Sequence, residues 1–225
     1  MAIEIATISR SLVEQIVREA VAKRLGGSRP KASSGVGELV VHASARHMHL
    51  SREDVDVLFG AGHELTPDKA LYQEGNYAAA ETVTLIGPRR RPLAGVRVLG
   101  PLRKESQAEL SFTDAIHLGV DVPVRISGDI DGTPGAVVIG PKGIVELRRG
   151  VIRAAIHVHM NPVEAAHYGV KQGDRMKLRV AGPAPVVFEA VLVRIDPSSR
   201  LNVHMDTDEA NACALHLATG FDLFK

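Results

Sequence analysis

From residue 38 onward the chain runs in short stretches rich in β-branched residues. Residues 38–43, 81–86, 96–99, 122–126, 136–139, 144–147, 177–180 and 186–195 carry this signal, with Gly and Pro between them. Helical signals are few and short. Residues 51–59 open on a Ser-x-x-Asp capping pattern, Asn161-Pro162 puts a good cap before a Pro at the first helical position, and 208–219 reads as a third short helix. Many short strands with turn signals predict a mainly β fold of small barrels or sandwiches. The N-terminus has another period. Leu12, Val13, Ile16, Val17, Ala20, Val21 and Leu25 recur at helical spacing, with Glu14, Gln15, Arg18, Glu19, Lys23 and Arg24 on the other face. This predicts an amphipathic helix within 1–25, and the Gly/Ser-rich 26–35 reads as a flexible linker. Such a helix must dock its apolar stripe on its own domain or on another partner.

The pattern also repeats. Arg46-His47-Met48-His49-Leu50 is followed by a short capped helix and Gly60, and Ile156-His157-Val158-His159-Met160 by a short capped helix and Gly169. Val96-Arg97-Val98 parallels Val193-Arg194-Ile195, which matches Arg97 with Arg194. The stretch from Glu109 to Ala115 parallels that from His204 to Ala210, so Glu109 falls opposite His204. Two similar units imply two similar domains.

Composition narrows the chemistry. The chain has 225 residues, a net charge of +1 and 4% aromatics with no Trp, which argues against nucleic acid and a polybasic membrane surface. No run is long and apolar enough to span a membrane, and no secretory signal is expected. The single cysteine, Cys213, cannot form an internal disulfide, which fits a reducing cytoplasm. No Gly-x-Ser-x-Gly elbow, phosphate-binding P-loop or dinucleotide fingerprint occurs, and Cys213 sits in an apolar helical context rather than a nucleophile's.

In an extended segment the side chains two apart share a face, so each His-x-His presents two imidazoles together. The proposed sets are His47, His49 and Glu109, then His157, His159 and His204. Three N or O ligands with an open fourth position suit a catalytic zinc, with cobalt, nickel or copper conceivable. The alternative, that these imidazoles pack in a polar interface between domains, accounts for one pair more readily than for two matching pairs. His42, His63, His117, His167 and His216 lack metal-like spacing and read as structural or surface residues. Arg103, in Gly100-Pro101-Leu102-Arg103-Lys104, is the best candidate to grip a phosphate.

These motifs together resemble the phosphate propanoyltransferases of bacterial microcompartments. They are the segment Ser44 to Leu50, Gly-Pro-x-Arg running into Glu109, the second His-x-His, and the segment Asn202 to Asn211. The resemblance covers residues 37–222. It implies two similar β-barrel domains with short capping helices. The first barrel would be discontinuous, 36–46 joined to 155–225, and the second formed by 47–154. It implies two zinc ions in one site between the barrels, held by the six residues above, with Arg103 on the phosphate. Lys69, Gln107, Ser127 and Arg194 map onto the substrate pocket. The substrates would be acyl-CoA, with propanoyl-CoA expected, and inorganic phosphate; coenzyme A and an acyl phosphate would be the products. The N-terminal helix would be an encapsulation peptide that binds microcompartment shell or core proteins, and a homo-oligomer is expected. The sequence departs at Ile156, where an Arg is expected before the second His-x-His. A two-zinc hydrolase such as a thioesterase, or a non-catalytic scaffold, stands as the alternative.

Overall fold

The computed structural model describes residues 37–73 and 75–225. The helix within 1–25 and the linker 26–35 lie outside the described residues. Among the described residues the fold is mainly β, with two curled half-barrel sheets and short helices. One sheet has six strands in the order β1-β14-β11-β13-β12-β15. These are Val40–Ser44 (β1), His157–Met160 (β11), Arg175–Ala181 (β12), Val186–Ile195 (β13), Asn202–Asp206 (β14) and Gly220–Phe224 (β15). The other has nine, in the order β7-β10-β6-β2-β5-β4-β8-β9 with β3 on the flank of β4. Its strands are His47–His49 (β2), Pro67–Ala70 (β3), Tyr77–Ile86 (β4), Pro92–Gly100 (β5), Gln107–Glu109 (β6), Val124–Arg125 (β7), Ala136–Ile139 (β8), Ile144–Leu147 (β9) and Val151–Ala154 (β10).

The chain changes sheet twice, each time just before a His-x-His segment. β1 lies parallel to β14 in the six-stranded sheet, and the chain then enters β2 in the nine-stranded sheet, between β5 and β6. β10 lies parallel to β6 in the nine-stranded sheet, and the chain then enters β11 in the six-stranded sheet, between β13 and β14. The two crossings are equivalent, because His47 pairs with Glu109 and His157 with His204 in the same antiparallel register.

Each sheet closes over its own apolar cluster. Met48, Leu50, Val55, Leu58, Val83, Leu85, Val96 and Val98 belong to one; Val41, Val158, Met160, Met176, Leu178, Val193 and Val203 belong to the other. The cause is the period-two alternation of the strands. β12 shows it plainly: Met176, Leu178 and Val180 are buried while Arg175, Arg179 and Ala181 are exposed. In each His-x-His the middle residue, Met48 or Val158, is fully buried in its own cluster. Its two flanking imidazoles therefore point to the opposite face.

Four short helices, Arg52–Phe59 (α1), Phe112–Leu118 (α2), Pro162–Tyr168 (α3) and Thr207–Ala212 (α4), each follow a strand of the site. Ser51 and Ser111 cap α1 and α2 by accepting the amides of Asp54 and Asp114. Asn161 and Asp206 cap α3 and α4 through full capping boxes with Glu164 and Glu209.

Three details differ from the sequence reading. The helix expected over 208–219 is α4 followed by a separate 3-10 turn, Leu215–Leu217. The break lies at Ala214, whose φ of 46° is incompatible with a continuing right-handed helix. Arg97 and Arg194 are not equivalent: Arg97 pairs with His47, whereas Arg194 pairs with His159. The sequence match is two residues out of register, a slip that keeps both arginines on the same strand face. Finally, β3, β6, β10 and β15 carry no strong strand signal. They are three to five residues long and are stabilised by their neighbours rather than by their own composition.

Gly135, entering β8, tests this packing. A Cβ there would lie 1.8 Å from the Leu147 carbonyl oxygen on the paired strand β9. Gly135→Ala should destabilise the fold by about 1–3 kcal/mol, read as a lower urea midpoint; a wild-type midpoint would show that the two strands separate easily.

Candidate active site

The first set converges tightly. Nε2 of His47 lies 3.4 Å from Glu109 Oε2, and Nε2 of His49 lies 3.8 Å from Glu109 Oε1. One ligand atom from each of the three residues lies within 4.8 Å of the other two, and all three residues are buried. The Nδ1–H of His47 donates to the Ala45 carbonyl at 2.9 Å. That bond fixes Nδ1 as a donor and turns Nε2 toward Glu109.

The second set repeats the arrangement on the other sheet. The His157 and His204 rings are stacked with centroids 5.2 Å apart, and His159 lies 4.8 Å from His157 and 5.2 Å from His204. The Nδ1–H of His157 donates to the Ala155 carbonyl at 2.8 Å, as His47 does to Ala45. Ser44 Oγ lies 3.1 Å from His204 Nδ1, while His204 Nε2 is buried without a partner. The Gln73 amide nitrogen lies 2.9 Å from His159 Nε2. Among the described residues, only the first set brings all three ligand atoms within 4.8 Å. A metal gripped by all three imidazoles of the second set would take the place of Gln73 at His159. His47 and Glu109 from one sheet, and His157 and His204 from the other, line one small cavity.

The donor chemistry of both sets, nitrogen and oxygen without thiolate, suits zinc; in each set the leading histidine donates Nδ1–H to a carbonyl, and the buried His204 Nε2 has no protein partner.

Arg103 lies beside the first set. Its Nη1 donates to Ser127 Oγ at 2.9 Å, and Ser127 donates in turn to Glu109 Oε1 at 2.6 Å. Gln107 donates to the same oxygen at 2.6 Å and accepts the Gly128 amide at 2.7 Å. Gln107 and Ser127 therefore orient the Glu109 carboxylate, and Ser127 links it to Arg103. Arg194 lies on the other sheet beside a polar cavity of about 290 Å³, shared with Gln73, His159, Gln172 and Ser198. Lys69 stands apart on the exposed strand β3, where its charge bears on His42 rather than on either set.

Sequence reasoning passed over Gln73 and the alanine carbonyls that orient His47 and His157. No local signal marks them, since each acts only through a partner distant in sequence or through its backbone. His42, read as structural, is the ladder partner of His204, and its ring packs 4.1 Å from that of Tyr72.

The sequence matches the family profile described as phosphate propanoyltransferase over residues 40–216. A phosphate propanoyltransferase of Planctopirus limnophila is 54% identical over 97% of this chain and 92% of its own length. That of Thermotoga maritima is 54% identical over 79% of this chain and 85% of its own, and that of Sebaldella termitidis 44% identical over 95% and 97%. The chain belongs to the phosphate propanoyltransferase family. It is an enzyme of the acyltransferase class.

The electrostatics of this phosphate propanoyltransferase fold suit cation binding. Burial holds His49 at about 3, helped by the neighbouring His47 and Arg103 charges, and holds His204 at about 3 with His157 adding to the effect. His159 falls to about 2, mainly through burial, and burial lowers His157 as well. His47 goes the other way: burial lowers it, but the Glu109 carboxylate more than offsets this and raises it. Burial opposes ionisation of Glu109, yet His47 and His49 hold its carboxyl well below the usual carboxylate range. His49, His157, His159 and His204 thus keep neutral imidazole lone pairs at neutral pH, beside the Glu109 carboxylate.

A pH dependence follows for chelator-stripped protein. His49 and His204 stay neutral in the fold down to about pH 3 and His159 to about pH 2, and His157 is lowered as well, whereas all four protonate near 6.5 when unfolded. Below 6.5 the unfolded chain therefore binds more protons, and stability falls towards pH 3, by up to about 1.4 kcal/mol per pH unit for each such group. His47 and Glu209, whose values are raised in the fold, oppose the trend. The urea midpoint should be lower at pH 5 than at pH 7.5, and an equal or higher midpoint would contradict these proton affinities.

Proposed function

We propose that the enzyme transfers a propanoyl group reversibly between coenzyme A and inorganic phosphate, at a two-zinc centre formed by His47, His49 and Glu109 with His157, His159 and His204. The observation that carries this reading is the meeting of two equivalent His-x-His sets around one cavity, with Arg103 tied to Glu109 through Ser127. Bound there, the zinc ions would supply Lewis acidity to the thioester carbonyl and the phosphate oxygens. Arg103 holds phosphate by its planar fork and neutralises part of its charge. One phosphate oxygen then attacks the thioester carbonyl carbon, the C–S bond breaks, and the electron pair leaves on the coenzyme A sulfur, which takes up a proton. Arg194, facing the polar cavity beside His159, stabilises charge on the second side; Gln107 and Ser127 hold the carboxylate and Arg103 in place. Lys69 is read as a further contact in the substrate pocket.

The two halves are read as similar barrel domains, 36–46 with 155–225 and 47–154. The pairing of β1 with β14 and the two separate apolar clusters support that division. Residues 1–25 are read as an encapsulation peptide that directs the enzyme into a bacterial microcompartment and promotes self-association.

The test is release of coenzyme A from propanoyl-CoA by zinc-quantified protein, with and without phosphate. Release should require phosphate, vanish on chelation and return with zinc. Release without phosphate would make the protein a thioesterase instead. Arg103→Ala should lower kcat/KM for phosphate by about 10²–10³-fold; if phosphate saturation and turnover are unchanged in steady-state assays, Arg103 does not touch phosphate.

A further inference from the structure

The internal duplication contains a guanidinium that has changed position. In the first repeat Arg46, directly before His47, pairs with Asp114 at 2.7 Å. Asp114 corresponds to Glu209, each five residues beyond the matched Glu109 and His204. The second repeat has Ile156 directly before His157, and that side chain is buried in the apolar cluster of the six-stranded sheet. Its carboxylates are met from the other sheet instead, by Arg153 on β10. Arg153 Nη2 lies 2.5 Å from Glu209 Oε1, and Nε donates to Asp206. The guanidinium lies 4.6 Å from the Phe112 ring centroid, and the side chain is only 13% exposed. A second contact nearby, from the Thr113 amide to Asp208 at 2.9 Å, joins α2 to α4.

The position of Arg153 relative to the histidines matters. It lies two residues before Ala155, whose carbonyl orients His157. Asp206 lies two residues after His204, and its ladder partner is Ser44, whose hydroxyl touches His204 Nδ1. One rigid guanidinium therefore joins the backbone that orients His157 to the backbone that carries and orients His204, across the two sheets. Without it, two largely buried carboxylates would repel each other and β14 would lose that tie to β10.

We propose that Arg153 is a positioning residue: by bridging β10 to Asp206 and Glu209 it holds His204 in register with His157, so that the second set can grip its metal. This rests on the two-zinc reading.

The experiment is a Co2+ titration of the stripped full-length protein, followed by the visible absorption of the bound ion. The wild type should take up two ions. Arg153→Met should weaken one of them by about 10–100-fold, the range for partners that orient ligands, and leave the other unchanged. Arg153→Lys, which offers a point charge to one carboxylate, should recover part of the loss. Arg153→Met/Glu209→Gln removes a carboxylate together with the guanidinium, so it should melt near the wild type yet keep the Co2+ deficit. If these variants bind both ions with wild-type affinity and spectra, Arg153 serves only the fold and the proposal fails. A wild type that takes up a single Co2+ would remove the two-zinc reading and this proposal with it.

Discussion

Everything at the site depends on the alternation of side chains along two three-residue segments. Met48 and Val158 are each pulled into the core of their own sheet, and that burial turns the flanking imidazoles to the opposite face. A slip of one residue would send the imidazoles into an apolar cluster and the core residue into the site, so hydrophobic burial sets the register of the ligands. The chain also changes sheet just before each segment. As a result, the strand that precedes the ligands of one sheet is hydrogen-bonded within the other. The two halves are thus joined at the site by two crossings of two residues each, 45–46 and 155–156.

Charge is handled by pairing rather than by exposure. Glu109 is a buried carboxylate, which would be costly alone. Here Gln107 and Ser127 donate to it, and two imidazoles face it. The same hydroxyl that donates to Glu109 accepts from Arg103, so the carboxylate and the guanidinium sit at opposite ends of one short chain of hydrogen bonds. The second half balances its charges differently. Its third ligand is neutral His204, and its carboxylates, Asp206 and Glu209, lie behind the ligand strand, where Arg153 meets them. The duplicated halves thus share a backbone plan but not a charge pattern.

Much of the candidate site's arrangement was legible in the chain because the paired histidines sit in repeated local patterns. His47, His49, His157 and His159 carry their geometry in their spacing, and the matching of Glu109 with His204 follows from the order of the two repeats; the ladders place both in the same register. The mainly β class, the capped starts of α1 and α3 and the strands at 136–139, 144–147 and 186–195 were likewise readable from period and punctuation. The short strands β3, β6, β10 and β15 were not, since edges and neighbours form them. Nor was the register of Arg97 and Arg194. A two-residue slip leaves the alternation intact, so the sequence pattern cannot distinguish one pairing from the other.

The sequence by itself determined the duplicated His-x-His segments and the residues paired opposite them, because each is a local spacing that a strand converts directly into a shared face. Only the tertiary structure decided that the chain changes sheet twice and that Arg153 replaces the arginine absent at Ile156. It likewise decided that Gln107 and Ser127 hold Glu109, and that alanine carbonyls set the histidine tautomers. The physical reason is the same in each case: these are contacts between distant segments or through the backbone, and no residue type or spacing encodes which partner will arrive once the two sheets close.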